Sequence, residues 1–311
     1  MARYILSRLA GLLGVLVVVS FITFALMHAV PGGPFDARAL ERQQMIPEQI
    51  KRQLNTKYGL DEPIWKQYLL FVRNAVRLDF GYSLAFPSRT VVQIFKEQWP
   101  YSVQLGLLTL AFSTVVGHCL GIASAVRPNS WIDHAGTAVS VFCLVIPSFV
   151  FAVLLQFVLS VRLGWLPTGG WDGPLHWVMP VLANSLAPIL VLQRYTRSSM
   201  RDAMRAGYVR TARAKGLSER TVVYKHVLKN GLIPVVTILG LQLGVLLAGA
   251  IITEKIFGWP GLGLLLVEDG IGKRDYRVVQ GCVLVISMTY IIANLLTDMV
   301  YRWLDPRIRV G

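Results

Sequence analysis

Six runs of the 311-residue chain contain no Asp, Glu, Lys or Arg, and they constrain its fold more than any other feature. They cover residues 9–30, 101–126, 136–161, 177–193, 235–253 and 278–297, with lengths of 22, 26, 26, 17, 19 and 20. A helix needs about 20 apolar residues to cross the hydrocarbon core, so five runs qualify. The fourth is marginal and the most interrupted, because it holds Pro180 and Pro188. In lipid each backbone N–H and C=O must find its partner within the protein, which favours helices over irregular chain. The expectation is an all-α integral membrane protein with six transmembrane helices. Composition agrees: 15% of residues are charged and 54% hydrophobic, where a soluble chain carries about a quarter charged. The first run follows Arg3 and Arg8 as a signal peptide would, but it is too long for one. It also enters Pro31-Gly32-Gly33-Pro34 without a cleavage site, so a retained anchor is expected.

The charges that remain are lopsided, with a net +14. By itself this excess fits nucleic acid, an anionic membrane face or topology. Sorting by segment decides. The N-terminus carries +2, residues 127–133 carry 0, residues 194–234 carry ten basic and two acidic residues for +8, and the tail after Asp298 carries +2, totalling +12. The alternate side totals +3, all from the ten basic and seven acidic residues of 31–100, and Asp298 supplies the remaining −1. The positive-inside rule then places both termini and the 194–234 loop in the cytoplasm, with no call for nucleic acid. The three cysteines, 119, 143 and 282, lie in apolar runs without metal spacing and read as inert core thiols. The five histidines show no paired spacing, and there is no G-x-S-x-G elbow, so neither a metal site nor catalytic residues are expected.

Residues 31–100 are too long for an idle connector. Ile46, Ile50 and Leu54 recur every four residues, and Pro47 sits where a helix could begin; they suggest one amphipathic helix, closed by Gly59. Trp65, Tyr68, Leu69, Val72 and Val76 after Asp61-Glu62-Pro63 suggest a second, ending before Asp79-Phe80-Gly81. Such helices either lie on the membrane and pad the bundle or form a docking surface for an external partner.

The cytoplasmic loop is more informative. Arg194, Arg197, Arg201 and Arg205 line one helix face, an ordinary anchor for anionic headgroups. Residues 208–216 then read as a short helix stopped by Gly216, and Ser218 caps a second that runs to Lys229. Two short helices joined at a glycine make a compact knob suited to being gripped by another protein. Here the sequence resembles the coupling loop of ABC importer permeases. Arg210, Thr211, Ala212 and Gly216 stand at its E-A-A-x-x-x-G positions, with the first acidic residue replaced, and Thr211 to Leu217 read T-A-R-A-K-G-L as in the peptide permease branch. The resemblance extends through Pro31-Gly32-Gly33-Pro34-Phe35, Asp79-Phe80-Gly81, Gly169-Gly170-Trp171, Trp259-Pro260-Gly261-Leu262-Gly263, Asp275-Tyr276 and Asp305-Pro306-Arg307. It is nearest the oligopeptide permease subunit of B type.

The resemblance implies a type I importer permease fold in a bacterial cytoplasmic membrane. It implies an anchor over 1–30, an external insert over 31–100, a five-helix core over 95–304 that contains the 194–234 loop, and a tail over 305–311. Its partners would be a homologous permease, two cytoplasmic ATPases, an external peptide-binding protein, membrane lipid and a peptide. Dipeptide, nickel or glutathione cargo remains open. The chain has no G-x-x-x-x-G-K-[ST], so ATP and magnesium would belong to the ATPases and this chain would hold no cofactor and be no enzyme. Energy would enter through Tyr208, Arg210, Thr211, Ala212, Arg213, Lys215, Gly216 and Leu217. An ion-coupled secondary transporter is the alternative of another class. Polar groups within spans are pathway candidates or helix–helix ties, foremost Asn184, Gln242, Gln104 and Gln156. Phe257, Trp259, Pro260 and Gly261 form either a re-entrant external gate or a turn anchored by Trp259 at the interface.

Overall fold

A computed structural model describes residues 2–30, 49, 52–53, 55–56, 59–247 and 250–304. The Pro31-Gly32-Gly33-Pro34-Phe35 segment, most of the first amphipathic segment of the insert and the 305–311 tail lie outside the described residues. Every long element among the described residues is helical. In chain order these are α1 (Ala2–Ala29), α2 (Ile64–Val76), α3 (Val91–Val126), α4 (Trp131–Val145) and α5 (Ser148–Leu155), which continues with wider π-type turns as Gln156–Arg162. Then follow α6 (Pro174–Arg205), α7 (Gly207–Ala214) and α8, made of Glu219–Thr221, π-bonded Val222–Val227 and Leu228–Gly231. The last are α9 (Ile233–Leu247), α10 (Ile251–Phe257), α11 (Leu262–Leu265, π-bonded onward as Leu266–Gly272) and α12 (Tyr276–Leu304).

Among the described residues, four helices are long and apolar enough to cross a membrane: Gly11–Ala29, Val91–Val126, Pro174–Arg205 and Tyr276–Thr297. A fifth span follows if α8 and α9, bent by 52°, count as one, and Ser148–Arg162 is a shorter apolar helix. The expected third run is broken at Ile146-Pro147, since proline cannot donate to the helical ladder. The expected fifth run is likewise divided, into α9 and α10. The second begins ten residues before the apolar run, at Val91, and carries Pro100 inside it. The fourth corrects the sequence reading outright: Pro180 and Pro188 do not interrupt α6, which is continuous for 32 residues. Each proline removes one donor, a loss that packed neighbours make tolerable in membrane helices.

The chain divides into two compact units, one of Met1–Ser102 with Pro260–Thr289 and one of Val103–Trp259 with Tyr290–Gly311. In the first, Asp275 caps α12. One carboxylate oxygen accepts from the Val278 N–H at 3.1 Å, while the other accepts from the Ser83 hydroxyl and from the Ala85 N–H at 2.8 Å. A fully buried carboxylate thereby joins the 79–85 turn to α12. Gly81 of that turn has φ +71° and accepts the Val91 N–H at 3.0 Å. The Asp79-Phe80-Gly81 and Asp275-Tyr276 segments thus belong to one junction.

The second unit packs through small residues, since helices in lipid gain little from apolar burial and must approach closely. A Cβ at Gly117 would stand 2.7 Å from Leu192 Cβ, and one at Gly121 would stand 2.6 Å from Thr196 Cβ, so α3 lies tight on α6. A Cβ at Gly240 of α9 would overlap Thr297 of α12 at 1.9 Å. Cys119, expected in a core, is exposed on α3. Gly240→Leu is expected to destabilise the protein by about 1–3 kcal/mol through overpacking. Thermal unfolding in detergent checks this, with Gly14→Ala, where a Cβ meets nothing within 4 Å, unchanged from wild type.

Candidate functional site

The loop after α6 folds as its sequence suggests. At Ala206 the chain turns extended, and α7 begins. Val209 and Ala212, three apart, point inward and are buried, while Tyr208, Arg210, Thr211, Arg213 and Lys215 point outward and are exposed. Gly216 takes φ +75°, its N–H reaching the Arg213 carbonyl at 2.9 Å and the Leu217 N–H reaching the Ala212 carbonyl at 3.4 Å. This paired closure satisfies the last carbonyls of α7 and needs a left-handed residue, which glycine adopts without strain. Ser218 caps α8 by accepting from the Thr221 N–H at 3.5 Å. Across the turn Arg213 donates twice to Glu219, at 2.7 and 3.2 Å.

The inner face of this knob forms one apolar cluster. Val209, Ala212, Val222, Val223 and Val227 pack with Ala125 at the end of α3 and Met200 of α6. Val222 and Val227 are five apart and both fully buried, whereas a regular α-helix would turn them about 140° from each other. The π-type bond from Leu228 N–H to Val223 C=O widens that turn and brings them to one side. At the far end Ser199 donates to the Gly231 carbonyl at 2.6 Å, which ties α8 back to α6.

Beside the knob lies an ion cluster that the sequence did not reveal. Asp133, in the first turn of α4, accepts from Arg197 at 2.6 and 2.9 Å, from Arg201 at 3.0 Å and from the Asn129 N–H at 3.0 Å. The Arg197 hydrogen bond is the chief cause that holds this carboxyl well below the usual range, and burial opposes it. The basic face of α6 is therefore partly spent inside the protein, not wholly offered to headgroups. Adjacent to it a cavity of about 450 Å³ opens between α4 and α6, walled by Ser140, Gln193, Arg194 and Arg197. Gln193 is buried, its Oε1 accepts from Ser140 at 2.7 Å, and its Nε2 has no partner.

Of the pathway candidates, Gln104 and Gln156 both bond to the 168–171 segment. Asn184 sits midway along α6 with a buried Nδ2 that lacks a partner. Gln104 accepts the Trp171 indole N–H at 3.2 Å. Gln156 donates to the carbonyls of Thr168 at 2.8 Å and Ile256 at 3.0 Å. Gln242 is half-buried on α9. In the 257–261 segment, Phe257 and Trp259 are fully buried, which corrects the reading of Trp259 as an interfacial anchor. Gly258 turns left-handed at φ +61°, and the Phe257 carbonyl receives the Gly170 N–H at 2.7 Å. A Cβ at Gly169 would come within 2.4 Å of that carbonyl, which explains the glycine pair before Trp171. Glu254 of α10 is a further buried carboxylate that lies one residue past the apolar run.

The structure thus combines several apolar helices of membrane-spanning length with a compact two-helix knob packed on the ends of α3 and α6. The chain belongs to the binding-protein-dependent transport system inner membrane component family, which matches residues 117–310, while that family's N-terminal component matches residues 1–105. It is 41% identical over 310 residues to the glutathione transport system permease protein GsiC of Pectobacterium atrosepticum, with 99% of each chain covered. It is 36% identical over 340 residues to the dipeptide transport system permease protein DppB of Alkalihalophilus pseudofirmus, with 99% of this chain and 100% of that one covered. Among solved structures, the inward-facing MetNI methionine ABC transporter matches the fold with a TM-score of 0.59 at 16% identity, covering 68% of this chain and 97% of that one. The chain is thus a permease subunit of an ABC importer, in the branch of peptide-type permeases, and resides in the membrane. Family membership sets aside the ion-coupled carrier.

The Asp133 cluster yields a stability test. A carboxylate with a depressed pKa stabilises the fold fully above the ordinary Asp value of about 3.9 and loses that contribution as pH falls towards its folded value. Asp133→Asn is expected to cost about 2 kcal/mol at pH 7. Thermal melts of the two proteins should converge as the pH drops below about 4, in the order set by that sign.

Proposed function

We propose that this chain pairs with a homologous permease to form the translocation pathway, and that the 208–229 knob receives the ATPases. The observation that carries the proposal is the two-sidedness of the knob. Its inner valines and Ala212 are locked to α3 and α6, while Tyr208, Leu217 and Tyr224 are 40%, 39% and 68% exposed on the outside. A rigid seat with exposed aromatic and basic side chains suits a protein cleft, and its displacement would move the ends of two spans together. In this reading both termini and the knob are cytoplasmic, ATP and magnesium are held by the partner subunits, and an external binding protein delivers cargo. Among the pathway candidates Asn184 has the best support, because its Nδ2 is buried without a partner among the described residues. Gln104 and Gln156, whose amides are engaged, are better supported as ties within the bundle. The 257–261 segment acts as the packed base of an external turn. The relatives named for glutathione and dipeptides favour a short peptide cargo.

Gly216→Val places a β-branched residue at φ +75° where a Cβ would meet nothing within 4 Å, so the strain falls on the backbone alone. The variant is expected to reach the membrane folded, to lose ATPase association on affinity purification, and to abolish uptake of labelled glutathione or dipeptide. Normal association and uptake would remove the knob from the coupling role. Purification of the wild-type chain should recover two ATPases and a sister permease; a clean homo-oligomer would overturn the heteromeric pairing.

A further inference from the structure

The second amphipathic helix of the insert, α2, left a choice between membrane contact and partner docking, and its contacts with α1 supply a depth. The Tyr68 hydroxyl lies 3.0 Å from Ser20 Oγ and 3.3 Å from the Val17 carbonyl, and its ring meets Phe21 and Phe24 edge-on at 5.6 and 5.3 Å. Gln67 reaches His28 at 3.2 Å. Val17 and Ser20 fall at the middle of the Gly11–Ala29 span, and His28 falls at its end. With about 1.5 Å of rise per residue, the α2 backbone must lie near the level of residues 24–28 for Gln67 and Tyr68 to make both contacts. That is a few ångströms inside the hydrocarbon boundary. A phenol hydroxyl carried so deep would be costly unbonded, and both of its partners are polar atoms of α1.

The other faces of α2 fit this depth. Trp65, Leu69 and Val76 share one stripe and are 66%, 58% and 81% exposed. Next to them Arg73 and Arg77 are exposed, one turn apart, and neither forms an ion pair among the described residues. An apolar stripe beside unpaired cations is the pattern of a helix lying in the interface, with its apolar side about 5–10 Å into the headgroup and acyl boundary. Arg73 and Arg77 would meet lipid phosphates there.

We propose that α2 is immersed in one leaflet, pinned by Tyr68 to the midpoint of α1, and that lipid, not a protein partner, covers Trp65, Leu69 and Val76. The leaflet is the outer one under the orientation proposed above, but the depth does not depend on that orientation. The test uses the complete transporter in phosphatidylglycerol-containing nanodiscs, with nitroxides on Leu69→Cys, Val76→Cys and Arg73→Cys and a check that uptake persists. Positions 69 and 76 should collide more with oxygen than with a water-soluble nickel chelate, at a depth of about 5–10 Å, and position 73 should show the reverse. Either variant at 69 or 76 suffices if the other fails to assemble. Equal nickel access at all three positions would overturn the proposal. So would shielding from both reagents, or a loss of access only when the binding protein is added, since each marks a protein-covered face.

Discussion

The apolar seat beneath the 208–229 knob is the contact on which the rest of the account depends. Two short helices on the 206–231 loop have too few residues to stay ordered alone, because short helices are marginal in water. Here Val209, Ala212, Val222, Val223 and Val227 close over Ala125 and Met200, so α7 and α8 are held by packing to the ends of α3 and α6. A lever transmits force only where it is joined rigidly. The Ser199 bond to the Gly231 carbonyl and the Asp133 cluster reinforce the same ends. Asp133 also links the 127–133 turn to α6, so the end of α3, this turn and α6 are tied together.

The membrane part follows a different economy. Little apolar burial is available between helices, and proximity has to come from glycine, as at Gly117, Gly121 and Gly240. Polar side chains then serve as local ties: Ser140 to Gln193, Gln156 to two carbonyls, and the Asp275 cap. Among the described residues, the buried Ser124 Oγ, Asn184 Nδ2, Gln193 Nε2 and Thr196 Oγ1, on α3 and α6, have no hydrogen-bond partner.

What the sequence made legible follows from locality. The Gly216 stop and the Ser218 cap each depend on a few neighbouring residues, and each is found where periodicity and capping chemistry place it, whereas the charge-free runs of the third and fifth expected spans are divided. Helix boundaries were less legible. Pro147 breaks its run because it follows an extended residue, whereas Pro180 and Pro188 remain inside α6. The difference lies in tertiary packing, which no local rule contains. Asp133 counted as one charge of a neutral segment, yet its partners lie 64 and 68 residues away. Trp259 looked like an interfacial anchor because tryptophan favours that zone, and its burial depends on contacts made by distant chain. Long-range pairing is what composition and spacing leave out.

The central claim is that the outer face of the knob is the ATPase contact. The most direct measurement is photo-crosslinking from position 208 or 217 in the intact transporter, with and without ATP. The account predicts crosslinks to an ATPase subunit whose yield changes when nucleotide closes the ATPases. Crosslinks to lipid alone, or the same ATPase yield from a probe at an exposed residue of α2, would contradict it.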